Sequence, residues 1–490
     1  MKKYLLFLLV ISSCFYLSAQ SNRIEYPMKS DFEGFVQYRN SETLVTLSLA
    51  KKGVKGTKDL KIDFYDKDFK AVGSTLEKVK DRSFLMDSCR YDNSLYLFYK
   101  DRRDALDIVT IDLEKRIAKT INTIFDIDVD LLKTKAFQDK IVFQVFEGKT
   151  FKFMIFNLTS GEWKTISYEK FDKRRTFIRV KDFTLNEKGI DVYYVDLDET
   201  EKFEILTLSY DGAVKDNYTL NIGDNFYILN LNVDKFGDQT LLSGNYSDDK
   251  NEESIGVFIG ELSDKKLVNL TQIPFVKLNA FLETFSEKEM NVLSRKQKKA
   301  NEKDAEIVIP QPALARPLYK VSDGYCLMTE LFIHYYRQNS NNKIITVGWE
   351  SNMGIMVKFD EDLNYVWDSG IEVADPEKGK FSMESMGAFY LREKTQMVQE
   401  NVNDSTVTLA VTRFENVRYR VYNQKDGELL TENKIKKPDQ PNLKLKRNLI
   451  TYNGFDYFLS PWNEYYLLQG TQTILDKKAD VYFVEKLKLN

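Results

Sequence analysis

Three oxygen-bearing side chains at alternate positions, Asp360, Asp362 and Asn364 in "FDEDLNYVW", have the spacing of the first ligands of a calcium loop. A second set, Asp126, Asp128 and Asp130 in "FDIDVD", would place three carboxylates on one face of a strand. There they repel unless a cation, or basic neighbours such as Lys133 and Lys135, offset them. The first set lacks the glycine a calcium loop needs at its sixth position and lies between two apolar runs, so it reads as a tight turn. The second reads as a metal site or as a solvated edge strand.

The chain holds one histidine, His334, so a nucleophile-histidine system must use it, and a multi-histidine metal site is excluded. Phe332, Ile333, Tyr335 and Tyr336 surround it, the setting of a strand side chain. Phosphate-cradling G-x-x-x-x-G-K-S loops and G-x-S-x-G are absent, and nothing calls for a cofactor. Glycosidases need only two acids at the right separation. Glu330, with acids of neighbouring repeats meeting at a central channel, is the candidate set for that chemistry, although no S-x-D-x-G-x-x-W box is present.

These residues need a scaffold, and the chain announces where it is built. Two lysines, the apolar run "YLLFLLVI" and the small-residue stretch "SSCFYLSAQ" form the three regions of a secretory signal peptide over residues 1–20, cleaved after Ala19 or Gln20. The rival is a lipobox, "VISSC", that would acylate Cys14. No later stretch approaches the ~18 unbroken apolar residues of a membrane span. Without Lys2 and Lys3 the balance is 69 basic to 74 acidic residues, a net charge of about −5, which argues against nucleic acid as a partner. Cys89 and Cys326 remain, to be read as one disulfide or as two buried small hydrophobes.

A polar turn followed by an apolar strand begins at Asn40, Asn93, Asp139, Lys188, Gly237, Asp323, Asp404 and Asn453. Five of the seven intervals fall between 46 and 53 residues. Each unit has a second strand that runs into another turn, as in "IDFYDKDFKAV" and "YRVYNQKDGELL", and the opening stretch is the sixth of seven such turns. Val, Ile, Phe and Tyr fill the strands; Asp, Asn, Gly and Ser fill the turns. Repeats of this size, with about four strands each, predict an all-β fold, a β-propeller of eight blades or seven, as a single domain over residues 21–490. The chain ends on a strand, "VYFVEKLKLN", that leaves a fourth to be supplied by residues 22 to 40.

Two intervals are too long, and departures from a repeat map to loops, often on the binding face. Residues 275–318 carry Leu278, Phe281, Leu282, Phe285, Met290 and Leu293 at helical spacings, a capping box from Ser286 to Glu289 and the basic run "SRKQKKANEK". This predicts an amphipathic helical insertion. It docks a partner through Phe281, Phe285, Met290, Arg295, Lys298 and Lys299, or its stripe packs on the propeller and the cations face water near a helix C-terminus. The second departure, "FIHYYRQNSNNK", predicts an extended hairpin whose Tyr335 and Tyr336 line a groove or decorate a strand end.

Between about residues 275 and 430 the chain resembles exported proteins of unknown function from Gram-negative bacteria. Their pattern is a Gly-Gly strand ending in Glu, a His-Tyr-Gly-Asp stretch and a strand-turn-Trp. Asp323, Gly324, Glu330 and Trp367 match its flanks, while Ser351, Asn352, Met353 and Gly354 stand where His-Tyr-Gly-Asp would be. The resemblance implies an envelope protein with a repeat β fold and brings no activity and no site residues. The expectation is an exported, periplasmic or cell-surface, binding or scaffolding propeller whose partner is an envelope protein or a glycan. The alternative is a carbohydrate-active propeller enzyme.

Overall fold

The short Val, Ile, Phe and Tyr runs become strands wherever Asp, Asn or Gly lets the chain reverse. The computed structural model describes residues 23–489 except 28–31, 40–41, 51–55, 102–104, 126–128, 148–149, 169–170, 172–177, 197–201, 224–225, 249–252, 303–306, 339–343, 374–397, 413–415, 437–442, 446–456 and 475–478. The signal peptide expected over residues 1–20 lies outside the described residues. Eight antiparallel sheets form, the blades of an eight-bladed β-propeller. Blade 1 spans 32–80, blade 2 84–124, blade 3 129–166, blade 4 178–220, blade 5 227–274, blade 6 313–372 and blade 7 398–436. Blade 8 is made of residues 443–487 and the N-terminal strand Arg23–Pro27.

The described residues fall into two compact units, one holding blades 1, 2 and 8, the other blades 3 to 7. In blades 1 to 7 the strand that follows the first recurrent turn is the second of its blade, such as Ser94–Lys100 or Lys140–Glu147. In blade 8 the run after Asn453 instead supplies an inner strand, Tyr457–Trp462.

Second and third strands are buried on both faces, so they read as continuous apolar runs rather than alternating ones. Outer strands alternate: Ile117–Ile124 leaves Ile117 and Ile124 exposed. Each core lies between neighbouring sheets. Leu60, Ile62 and Phe64 of blade 1 meet Leu95, Leu97 and Val109 of blade 2, and Val142, Phe151 and Phe153 of blade 3 meet Phe183, Tyr194 and Leu206 of blade 4. Burying one such side chain is worth about 2 kcal/mol, so no sheet is stable without its neighbour.

The turn after the third strand recurs in one form. Asp66 Oδ1 accepts N–H bonds from Asp68 and Lys70, Asp112 Oδ1 from Glu114 and Lys115, and Asn157 Oδ1 from Thr159 and Ser160. Asn423 Oδ1 takes the same role toward Lys425. At the sixth blade Asp360 Oδ1 accepts from Asn364 N at 2.7 Å, and its Oδ2 from Asn364 Nδ2 at 3.2 Å. That carboxylate is spent on closing its own turn, which leaves the calcium-like spacing of Asp360, Asp362 and Asn364 as turn chemistry.

Blade 8 gains its outermost strand from the start of the chain: Ile24 pairs with Val484 and Tyr26 with Tyr482. The Arg23 guanidinium lies 4.1 Å from the Phe483 ring centroid and 3.4 Å from Glu485 Oε2. On the third strand of the blade, the Lys486 ammonium sits over the rings of Phe69, Tyr465 and Trp462, 4.6, 5.3 and 5.8 Å from their centroids. The contact with Phe69 ties the last blade to the first, while those with Tyr465 and Trp462 lie within blade 8. Cys89 and Cys326 are both free, and burial pushes the Cys326 thiol up to about 12.

Candidate functional site

Strand direction decides which loops share an end. In an antiparallel four-stranded blade the link from one blade to the next and the turn between second and third strands leave from the same end; the other two turns leave from the opposite end. Both long intervals are of the first kind. Residues 275–312 link blade 5 to blade 6, and blade 6 carries the long hairpin Gly324–Gln338 with Ile344–Phe359. The outer strand of that blade stops at Glu372, opposite Met353. The hairpin continues past it for about seven residue pairs, roughly 20 Å. Insertion and hairpin therefore rise from one end of blade 6.

The structure divides the predicted insertion stripe in two. Phe275, Leu278 and Phe281 are buried in the core shared by blades 5 and 6, and Leu282 and Phe285 pack against it. Phe281 is 3% exposed, and its ring meets Phe285 edge-on with centroids 5.2 Å apart. Asp368 of the outer strand of blade 6 anchors this root, its two carboxylate oxygens accepting from the N–H groups of Asn279 and Ala280 at 2.8 and 2.9 Å. Beyond it, Ser286 opens the helix Glu287–Asn301 with the expected capping box: Glu289 N donates to Ser286 Oγ, and Glu289 Oε2 accepts from Ser286 N.

From residue 287 to 300 every side chain is half-buried or exposed. Met290, Leu293, Gln297 and Ala300 make the half-buried side; Arg295, Lys298 and Lys299 face water, as does Val292, 46% exposed. Phe281 and Phe285 thus belong to the root, while Met290, Arg295, Lys298 and Lys299 stand on the projecting helix. Tyr335 and Tyr336 lie on the hairpin extension, opposite Gly348 and Thr346. Asp126 and Asp128 fall outside the described residues, and of Asp130 the backbone is described, paired with Phe146. Among the described residues no group of three His, Cys, Asp or Glu side chains is placed to hold a metal ion.

A second constellation lies on inner strands and was not visible in the sequence. In blades 1 to 5 the innermost strand carries a β-bulge near its start, with Glu33, Met86, Leu132, Lys181 or Leu229 as the extra residue. A bulge re-aims the side chains on either side of it. In blades 3 and 4 it precedes a charged group: Lys133 and Lys135 Nζ both reach Asp182 Oδ1, at 2.8 and 3.0 Å. Burial works against the charge of Asp182, yet the two ammonium groups hold its carboxyl below the usual range.

On blade 5 the Asp234 carboxyl is pushed up to about 6, chiefly by burial. The Leu318 N–H it accepts at 2.9 Å opposes this, the charge of Asp182 adds to it, and Lys135 and Lys133 oppose it. A folded-state value above the unfolded one means that the native protein binds more protons between about pH 4 and pH 6. Stability from this group is therefore complete below pH 4 and lost as pH rises through 6. Asp234→Asn keeps an acceptor for Leu318 and never ionises. It is expected to be more stable than the wild type by about 2 kcal/mol at pH 7.5 and equal to it at pH 4. Urea melts at the two pH values check this, and an unchanged difference between them would contradict it.

Arg316 forms the hub between blades 6 and 7. It is 3% exposed, and its Nη2 donates to Glu330 Oε2 at 2.6 Å while Nη1 donates to Glu400. Ser351 donates to the other oxygen of Glu330, and Tyr319 Oη to Glu400 Oε1 at 2.9 Å. Burial weakens the guanidinium charge, but Glu400 and Glu330 more than restore it. Both oxygens of Glu330 are thereby engaged inside the protein, by Arg316 and by Ser351. A glycosidase acid needs a carboxyl free to donate to its substrate.

No protein-family model matches the chain, and no curated protein matches it. Solved structures match at the level of the fold. The WD40 domain of SCAP from fission yeast is 10% identical with a TM-score of 0.41, covering 95% of this chain and 98% of that one. The Dos1 propeller is 10% identical with a TM-score of 0.40, covering 84% and 86%. The β-propeller domain of the Trilobed protease from Pyrococcus furiosus is 12% identical with a TM-score of 0.33, covering 83% and 95%. A shared fold does not fix a function, so function is argued from the residues.

Proposed function

We propose that the chain is an exported β-propeller acting as a binding or scaffolding module, whose partner, an envelope protein, docks on the helix 287–301 and the hairpin beside it. The observation that carries this reading is the contrast within the insertion. Its root is locked by Leu278, Phe281 and Asp368, whereas its helix leaves Met290 half-buried and Val292 exposed. A rigid base under an unburied tip offers a partner a surface already ordered, which lowers the entropic cost of docking. Export rests on the charged, apolar and small-residue regions at the start of the sequence.

The test is crosslinking capture from source cells, with full-length protein compared with a variant in which a Gly-Ser linker replaces residues 286–306. The root, from 275 to 285, is retained because it is core. The expected result is a partner captured by the full chain and lost from the variant, both melting at the same temperature. A charge-reversed helix, Arg295→Glu with Lys298→Glu and Lys299→Glu, is expected to weaken capture at least fivefold. Equal capture by all three proteins would remove the helix from the interaction.

A further inference from the structure

We infer that the protein docking on the helix Glu287–Asn301 is a second copy of this chain, its own helix laid antiparallel against the first. The inference rests on the reading just proposed, that this helix is a docking surface, and names its occupant. Met290, Leu293, Gln297 and Ala300, the half-buried side, follow one another at steps of three, four and three residues. That is the spacing of a two-helix seam, and the 15 residues of the helix carry it over about 22 Å.

The charges beside the stripe say what it faces. At about 100° per residue, Glu289 and Lys296 flank the stripe on one side and Glu287 and Lys298 on the other, while Lys288, Arg295 and Lys299 fall on the far face. The four flanking groups are all exposed, and among the described residues none of them forms an ion pair within its own chain. On each flank the acid comes first and the base later. The macrodipole favours Glu287, Glu289 and Lys298 at the two ends of the helix, but it does not reach back to Lys296. A helix charged for its own stability sets Glu and Lys four apart, whereas Asn291 and Leu293 stand at that step from Glu287 and Glu289.

Two-fold symmetry turns this polarity into complementarity. In an antiparallel pair each flank meets the same flank of the other copy. With the axis level with residues 292 and 293, Glu289 lies opposite Lys296 of the second copy and Glu287 opposite its Lys298. Met290 of each helix then lies beside Leu293 of the other. A parallel pair brings unlike flanks together, Glu289 beside Glu287 and Lys296 beside Lys298, so that like charges meet. Exposed pairs add little affinity, and here they fix the orientation. Antiparallel pairing also carries the two roots, and the cores of blades 5 and 6 that hold them, to opposite ends of the paired helices. A seam this short covers less than the ~1,000 Å² of a stable interface, so the expected dissociation constant is on the order of 10–100 µM.

The test is sedimentation equilibrium of the mature chain from ~1 to ~300 µM. The mass is expected to rise with concentration toward twice that of one chain. Lys296→Glu with Lys298→Glu, and separately Glu287→Lys with Glu289→Lys, are each expected to weaken association at least tenfold, because every substitution acts twice in a two-fold pair. In the second variant Ser286 Oγ can still accept from the N–H of residue 289, which preserves that part of the cap. An equimolar mixture of the two variants faces acid with base at all four places and is expected to associate at least as tightly as the wild type. Variants that had merely lost their fold would not recover on mixing. A wild-type chain that keeps the mass of one copy over the whole range, variants that associate like the wild type, or a mixture that does not recover would each overturn the inference. If the chain stays single and the crosslinking experiment still captures a different protein through the helix, the second copy is removed and the reading before it stands; if neither occurs, both fall.

Discussion

Arg316→Met is expected to destabilise the unit made of blades 3 to 7 by about 3–5 kcal/mol. Methionine fills much of the space but supplies no donor, so Glu330 and Glu400, 2% and 5% exposed, would be left as two uncompensated buried carboxylates. Ser351 and Tyr319 still donate to them, which limits the loss without neutralising either charge. The companion variant, Arg316→Met with Glu330→Gln and Glu400→Gln, removes both charges with the cation and should regain more than half of the loss, since an ion pair replaced as a whole costs far less than one broken. Denaturant unfolding followed by tryptophan fluorescence reads this, one of the four indoles being Trp367, which donates to Gln424 O across the same pair of blades. A loss below about 1 kcal/mol in the single variant would show that the hub does not hold charge in the way described.

Deleting Arg23–Pro27 is the second large effect. The deletion removes five paired residues from blade 8, uncovers Val484 and Phe483, and takes away Tyr26, whose hydroxyl lies 2.6 Å from both Thr46 Oγ1 and Tyr65 Oη. It leaves the strand Ala479–Leu487 as an unpaired edge, a template for pairing with another chain. The expected outcome is a shift to larger species than the full chain forms, read on size-exclusion chromatography with light scattering. A synthetic peptide of residues 22–28 should restore the mass of the full chain. A truncated protein with the mass and melting temperature of the wild type would show that the strand is dispensable.

Much of the architecture was legible because a propeller writes its repeat in residue types. The apolar runs after Asn93, Asp139 and Lys188 became second strands, the turn at Asp360 matched those at Asp66 and Asp112, and the strand missing at the C-terminus is the one supplied by Arg23–Pro27. Ser286 and Glu289 capped their helix as their spacing required. The candidate site was far less legible. A helical stripe has the same period whether it faces its own blades or a partner, so Phe281 and Phe285 could not be separated from Met290. The bulge residues Glu33, Met86, Leu132, Lys181 and Leu229 share no chemistry, because a bulge is set by register and not by residue type. Arg316 and Glu400 are 84 positions apart, and Asp368 and Ala280 88. No local pattern announces such pairs.

The N-terminal strand of blade 8 also sets a schedule. Arg23 and Glu485 are separated by 462 positions, so the strand Arg23–Pro27 must wait for a partner made long after it. At about 5–20 residues per second that wait is on the order of half a minute to a minute and a half. Throughout it, Ile24 and Tyr26 have no sheet to join. The hydrogen bonds of Arg23–Pro27 can form only once the strand Ala479–Leu487 exists. Loss of even the last dozen residues in a truncated product would therefore remove Ala479–Leu487 and leave Arg23–Pro27 without the strand it pairs with.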